Sequence, residues 1–214
     1  MRTLLSDSKH DFNLIDSSTT IFFNNEKHKD DVVQFLKDNK FLVVDSSYVS
    51  GNMTVKEFLS ANKFKMSLIP YFDVKRIISS KLNQVSFEDY IYIKTIILIS
   101  FPINCIVFDD VLSFLSINKK KKIIKYLKDN KITFYNFTSN AEECLFTPYM
   151  VVINNDKVAM EGATKNVLLE EKTLKKLGFC LPFAVDLSLQ LQSYGLVNNI
   201  YYDVNKLAED LWNQ

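Results

Sequence analysis

Ile103-Asn104-Cys105-Ile106-Val107-Phe108-Asp109-Asp110 is the stretch on which the reading of this chain turns. A short apolar run that ends in two adjacent carboxylates reads as a buried strand delivering Asp109 and Asp110 to its C-terminal edge. Upstream, Val85-Ser86-Phe87-Glu88-Asp89 leads into an apolar, helical segment over 90–100. Downstream, residues 119–130 set Ile123, Ile124 and Leu127 at helical spacing among lysines, a helix with one solvated face. Residues 131–140 supply a short strand that runs into Ala141-Glu142-Glu143, and 150–162 a hairpin turning at Asn154-Asn155-Asp156. An apolar strand ending in acid is common, and two such carboxylates can simply cap the next turn. The flanking elements give the stretch its weight.

Extended over the chain, the same patterns predict strands at 19–23, 40–45, 104–108 and 131–137 and a hairpin over 149–160. Helices are predicted at 30–38, 54–61, 72–82, 88–100, 118–129, 164–176, 184–194 and 203–212. Strands alternating with helices imply an α/β fold with a parallel sheet. Leu177-Gly178-Phe179-Cys180-Leu181-Pro182-Phe183 then leads into a helix stopped by Gly195, and 203–212 is a short acidic helix closing on Trp212.

Strand, helix, strand, acidic helix start and hairpin in this order resemble the second half of an ABC transporter ATPase. The C-terminal tail, with its Gly178, Pro182 and two helices, is closest to the energy-coupling-factor (ECF) type. The resemblance runs from Val85 to the end and thins before it. It implies a P-loop NTPase-like parallel sheet flanked by helices, in a single domain over 1–214. That domain would carry a reduced helical subdomain at 55–100 and a C-terminal helical extension at 164–214. Strand 104–108 would lie at the centre of the sheet beside 19–23 and 131–137. The chain is short for the family. The missing length falls between Asn39 and Phe41, where an antiparallel subdomain would contribute to adenine stacking, and around 60–84.

The resemblance also places the family's nucleotide machinery, and most of it is altered. The phosphate loop would fall on Phe23-Asn24-Asn25-Glu26-Lys27-His28-Lys29-Asp30-Asp31, with Phe23, Glu26 and His28 at glycine positions. Glycines there let backbone N–H groups approach phosphate oxygens. Of the nucleotide-binding positions Asn24, Asn25, Lys29, Asp30 and Asp31, only Lys29 keeps the family's residue; Asp30 and Asp31 stand where hydroxyls belong. Like charges a few ångströms apart repel by roughly a few kcal/mol at ordinary effective dielectric, so Glu26, Asp30 and Asp31 oppose a triphosphate. A surface turn capped by Asp30 is the plain alternative for this segment. The signature segment maps to Val85–Asp89, keeping Ser86 and losing both glycines. Asp45 would hold the place of the magnesium-contacting glutamine and Ser139 that of the switch histidine. Asp109 and Asp110 would be the metal-binding and catalytic carboxylates, Asp110 one methylene shorter than glutamate, and water geometry is lost over about an ångström. Asp109, Asp110 and Ser139 are thus relict catalytic positions.

Composition narrows the alternatives. The 214 residues include only four glycines and four prolines, too few for a glycine-rich cradle. A formal net charge of +1 argues against nucleic acid as a partner, with the lysines at 119–122 read as a solvated helix start. Cys105, Cys144 and Cys180 are too widely spaced for a metal knuckle and read as buried thiols in a reducing compartment; two histidines make a histidine-based metal site unexpected. Met1-Arg2-Thr3-Leu4-Leu5 is too short for a signal peptide, and the apolar window 91–108 is broken by Lys94, Pro102 and Asn104, so no membrane span is expected. The expected location is cytoplasmic, including docking at the cytoplasmic face of the cell membrane.

Three functions remain open. The leading one is a pseudo-ATPase partnered with an intact ECF-type ATPase and a membrane scaffold subunit, with no cofactor. The second is a divergent active ATPase using ATP and magnesium. The third is an unrelated α/β interaction module, since fold alone does not assign function.

Overall fold

The computed structural model describes residues 3–7, 10–14 and 17–212. In chain order it contains β1 (Thr3–Asp7), β2 (His10–Leu14), β3 (Thr19–Phe23), α1 (Glu26–Asp38), β4 (Val43–Val44), α2 (Val55–Ala61), α3 (Ile69–Phe72) and α4 (Phe87–Ile99). There follow β5 (Cys105–Asp109), α5 (Ile117–Asp129), β6 (Thr133–Phe137), β7 (Tyr149–Asn154), β8 (Lys157–Ala163), α6 (Thr164–Leu169), α7 (Glu171–Lys176), α8 (Phe183–Ser193) and α9 (Val204–Trp212). Short 3-10 turns fill several connections. The architecture is α/β with mostly parallel strands flanked by helices, as the alternation of patterns predicts. The chain divides into two compact units, one of residues 29–137 and one of the residues up to His28 with those from Thr138 onward.

In the unit 29–137, β4, β5 and β6 run parallel, with Val107 opposite Val43 and Tyr135. Ile106, Val107 and Phe108 are fully buried because β5 is covered on both faces. α4 packs on β4 and α5 on β6. Ile91, Ile93, Ile96 and Ile99 of α4 are all inaccessible, so its apolar character around the whole circumference matches burial on all sides. In the other unit, β3 and β7 pair in parallel, and β7 and β8 form an antiparallel hairpin with a bulge at Val152/Ile153. Its turn passes through Asn155 and Asp156, both at positive φ, residue types that tolerate the left-handed region. Phe22, Met150 and Val152 of these strands pack with Val167, Leu174 and Val185 of the C-terminal helices and with Leu181 of the connection before α8.

Several expectations need correction. β5 lies between β4 and β6, so strand 19–23 is not its neighbour. The strand expected over 40–45 shrinks to two residues: Lys40 takes a left-handed φ of 64°, and the N–H groups of Lys40 and Phe41 still bond back to α1. The helix expected over 72–82 does not form. Asp73 at φ 56° ends α3, and the chain continues as 3-10 turns at Lys75–Ile77 and Leu82–Gln84. The helix expected over 164–176 is broken at Glu170, whose ψ of 47° is not helical. The hairpin of β1 and β2 had no counterpart among the expected elements.

Candidate functional site

α1 begins at Glu26 rather than at residue 30, because Asn25 caps it. Asn25 Oδ1 accepts from the Lys27 N–H at 3.1 Å and from the His28 N–H at 3.4 Å. Those are N–H groups of a helix start that an anion would otherwise use. Phe23 and His28 are buried and their rings meet at 5.5 Å. The His28 imidazole Nδ1 contacts the Asp156 carboxylate at the hairpin turn, and Asn24 bonds Asn154 side chain to side chain. Side chains thus pack along the segment that the resemblance aligns with a phosphate loop.

One turn further along α1, Lys29 is only 8% exposed. Its Nζ donates to Asp110 Oδ2 at 2.5 Å and stands 3.3 Å from Asp109 Oδ1. β5 delivers Asp109 at its last residue. Asp110 leaves the strand at φ 53°, with its N–H donating to the Phe137 carbonyl at 2.9 Å. That left-handed turn brings two successive carboxylates to one ammonium. Burial pushes the Asp109 carboxyl above its ordinary value; Lys29 pulls it back in part, while Asp110 and Asp30 push it further up. The arrangement is a partly buried ion triad, held between helix and strand, with more negative than positive charge.

The other predicted positions are placed elsewhere. Asp30 and Asp31 are exposed on α1, and Ser139 is exposed after β6. Ser86 is the N-cap of α4, its Oγ accepting from the Asp89 N–H at 3.1 Å. Asp45 belongs to a separate cluster with Lys94 at 2.6 Å and Lys37 at 2.9 Å. Burial disfavours its ionised form, but bonds from Lys94, Ser47 and Lys37 outweigh this and hold the carboxyl far below the usual range. Of the predicted residues the structure unites Lys29, Asp109 and Asp110. The contacts of Asn25 with α1, His28 with Asp156 and Asp45 with Lys94 were not foreseen. An Asn just before a helix is a legible cap signal, whereas His28 and Asp156 are too far apart in the chain for any pattern to join them.

Triphosphate and magnesium do not fit these residues. Asn25 already takes two N–H groups at the start of α1, and Lys29 is already bound to Asp110 and Asp109. Among the described residues no group of three or more His, Cys, Asp or Glu is placed to hold a metal ion, and no helix is long and apolar enough to cross a membrane.

No family model matches the chain. It is similar to the energy-coupling factor transporter ATP-binding protein of Geobacillus kaustophilus, 25% identical over 112 residues, 50% of this chain and 40% of that protein. The corresponding protein of Methanosarcina acetivorans is 29% identical over 96 residues, 44% of this chain and 35% of its own length. That of Mesomycoplasma hyopneumoniae is 30% identical over 111 residues, 50% and 39%. The matches thus span about two fifths of the length of these relatives. Among solved structures, the ATP-binding subunit of an ABC transporter superimposes with a TM-score of 0.58 at 13% identity, covering 77% of this chain and 89% of that one. A bacterial Atm1-family ABC exporter with ATP bound gives 0.62 at 9% identity, covering 78% and 37%. The fold is that of an ABC-type ATP-binding domain, and about half of the chain is similar in sequence to the ECF transporter ATP-binding proteins.

Proposed function

We propose that this chain is an ECF-type ATP-binding-subunit-like protein that has lost nucleotide chemistry. In this reading it serves as a structural or regulatory partner, at the cytoplasmic face of a membrane, in uptake of small molecules. Its partners would be an intact ECF-type ATPase and a membrane scaffold subunit. The observation that carries this is the engagement of Lys29 by Asp110 at 2.5 Å and Asp109 at 3.3 Å. In phosphoryl-transfer enzymes of this kind the lysine cradles the β- and γ-phosphates and a carboxylate helps to hold magnesium. Here each of those groups satisfies the other. A triphosphate would have to break the ion pair and displace the Asn25 cap, and would then face Glu26, Asp30 and Asp31.

A divergent ATPase is the second reading, favoured by one observation: the lysine and the strand-end carboxylate do meet. The two readings separate in a thermal melt with ATP and magnesium, because a ligand stabilises by RT ln(1 + [L]/Kd). The expected outcome is no rise in melting temperature at millimolar ATP. A clear rise at micromolar ATP overturns the pseudo-ATPase reading and favours the divergent enzyme.

A further inference from the structure

We propose a binding site for a small uncharged aromatic amide in the unit formed by the residues up to His28 and those from Thr138 onward. A cavity of about 420 Å³ opens there between the segment before β7, the end of β8, the start of α6 and Tyr202 ahead of α9. Pockets for small molecules fall in the range of roughly 300–1,000 Å³. Lys29, Asp109 and Asp110 belong to the other unit, so the inference does not depend on the function proposed above.

The cavity is more apolar than its lining residues suggest. Leu145, Pro148, Ala163 and the Tyr202 ring supply carbon surface. Two threonines also line it, but both hydroxyls are spent within the protein. Thr147 Oγ1 lies 3.1 Å from the carbonyls of Cys144 and Tyr149 and 2.9 Å from Thr20 Oγ1, and Thr164 Oγ1 donates to the Thr147 carbonyl at 2.8 Å. Among the described residues no Asp or Glu lines the cavity, and Lys165 is its one charged side chain. The Lys165 ammonium stands 5.2 Å from the Tyr202 ring centroid, a cation–π position that directs its charge at the ring. Water in such a space finds few of the two to four polar partners it needs, so a ring displaces it at little cost.

Polar selection falls to Asn166 and Tyr202. Neither the Asn166 amide nor the Tyr202 hydroxyl has a hydrogen-bond partner among the described residues. An Asn side chain offers an acceptor oxygen and an NH₂ donor side by side, and a carboxamide presents the same pair in reverse. A carboxylate has acceptors only and would leave the Asn166 oxygen unmatched. Burial pushes the Tyr202 phenol above its ordinary value, so its hydroxyl stays protonated at neutral pH and is available to donate. The apolar wall takes the ring, because covering carbon surface is favourable while desolvating a charge against it is not. A flat ring bearing one amide answers all of these groups at once.

Calorimetric titration of the full chain with benzamide and with benzoate tests the site. Benzamide is expected to bind with a Kd of about a millimolar or below, a value within reach of so few atoms, and more tightly than benzoate. Asn166→Ala is expected to weaken it by about fivefold, the loss of one hydrogen bond. Ala163→Phe, which fills the cavity, is expected to abolish binding. Both positions are exposed, so each variant should melt as the parent does, and either gives the reading if the other fails to fold. Absence of benzamide binding at ten times that concentration, about 10 mM, overturns the proposal. So does benzamide binding unchanged by either substitution, or tighter binding of benzoate.

Discussion

A lysine can serve a triphosphate only if its ammonium is available when the nucleotide arrives. Lys29 is instead buried against two carboxylates, and its role follows from what its removal would leave. Lys29→Gln exposes Asp109 and Asp110 to each other without a counter-charge, which is costly in a partly buried setting. The substitution is predicted to destabilise the fold by about 3 kcal/mol, read as a lowered urea midpoint. A change within about 0.5 kcal/mol, the range of ordinary surface substitutions, would show that the lysine carries no structural load. Asp109 makes the complementary prediction. Its native carboxyl keeps a proton to higher pH than the unfolded one, so the folded state binds more protons between the two values. Stability contributed by this group therefore falls as pH rises through that window. Asp109→Asn is predicted to raise stability at neutral pH, read as a higher melting temperature. The gain should fade as pH falls below the ordinary aspartate range. At this scale Asp109 was legible because it ends a patterned strand, and Lys29 because the resemblance aligns it with the lysine of a phosphate loop. The His28–Asp156 contact was not, because it depends on two turns that come together only once β3 and β7 pair.

Among the elements, the segment Val85–Asp89, which the resemblance aligns with the family's signature, acts as a helix cap. Ser86 keeps its residue type, and its hydroxyl accepts from the Asp89 N–H at 3.1 Å while donating to the Asp89 carboxylate at 2.9 Å. This is an N-cap, worth about 1 kcal/mol in typical cases. Ser86→Ala is predicted to cost about that much, measured by chemical denaturation, and Ser86→Asp, which can still cap, to cost clearly less. Equal losses from both would mean that the serine acts through something other than the cap. Elements with strong periodicity and clean ends were legible: α4 between Ser86 and Pro102, β5, and α5 with its lysine face. The misread elements failed where single residues adopt conformations that no periodicity encodes. Lys40 and Asp73 take left-handed φ values without being glycine, and each ends a segment that the apolar pattern would extend. β1 and β2 lay outside the frame altogether, since the resemblance had little to offer before Val85.

For the molecule as a whole, the question is which C-terminal residues belong to the core and which face outward. Ala184, Val185, Ser188 and Leu207 are buried, and Leu189, Ile200 and Tyr202 pack against the cluster around Phe22, Met150 and Val152. Deleting residues 184–214 would open that core, so truncation cannot separate packing from pairing. The exposed residues can. Tyr194 is 80% and Trp212 91% accessible, with Phe183, Leu196 and Leu211 also exposed on the same helical region. Aromatic side chains of this kind dominate binding energy where they insert into a partner, and contribute little to a monomer from which they project. The double substitution Tyr194→Ser with Trp212→Ser is predicted to leave the melting temperature nearly unchanged, within about 0.5 kcal/mol. If these residues hold an intact ECF-type ATPase, the same variant should lose co-purification with that protein by roughly tenfold or more, the loss of one or two anchor residues. A variant that melts as the parent does and still retains the partner at full yield would remove the C-terminal helices from the interface. The pairing proposed for this chain would then have to rest on another surface.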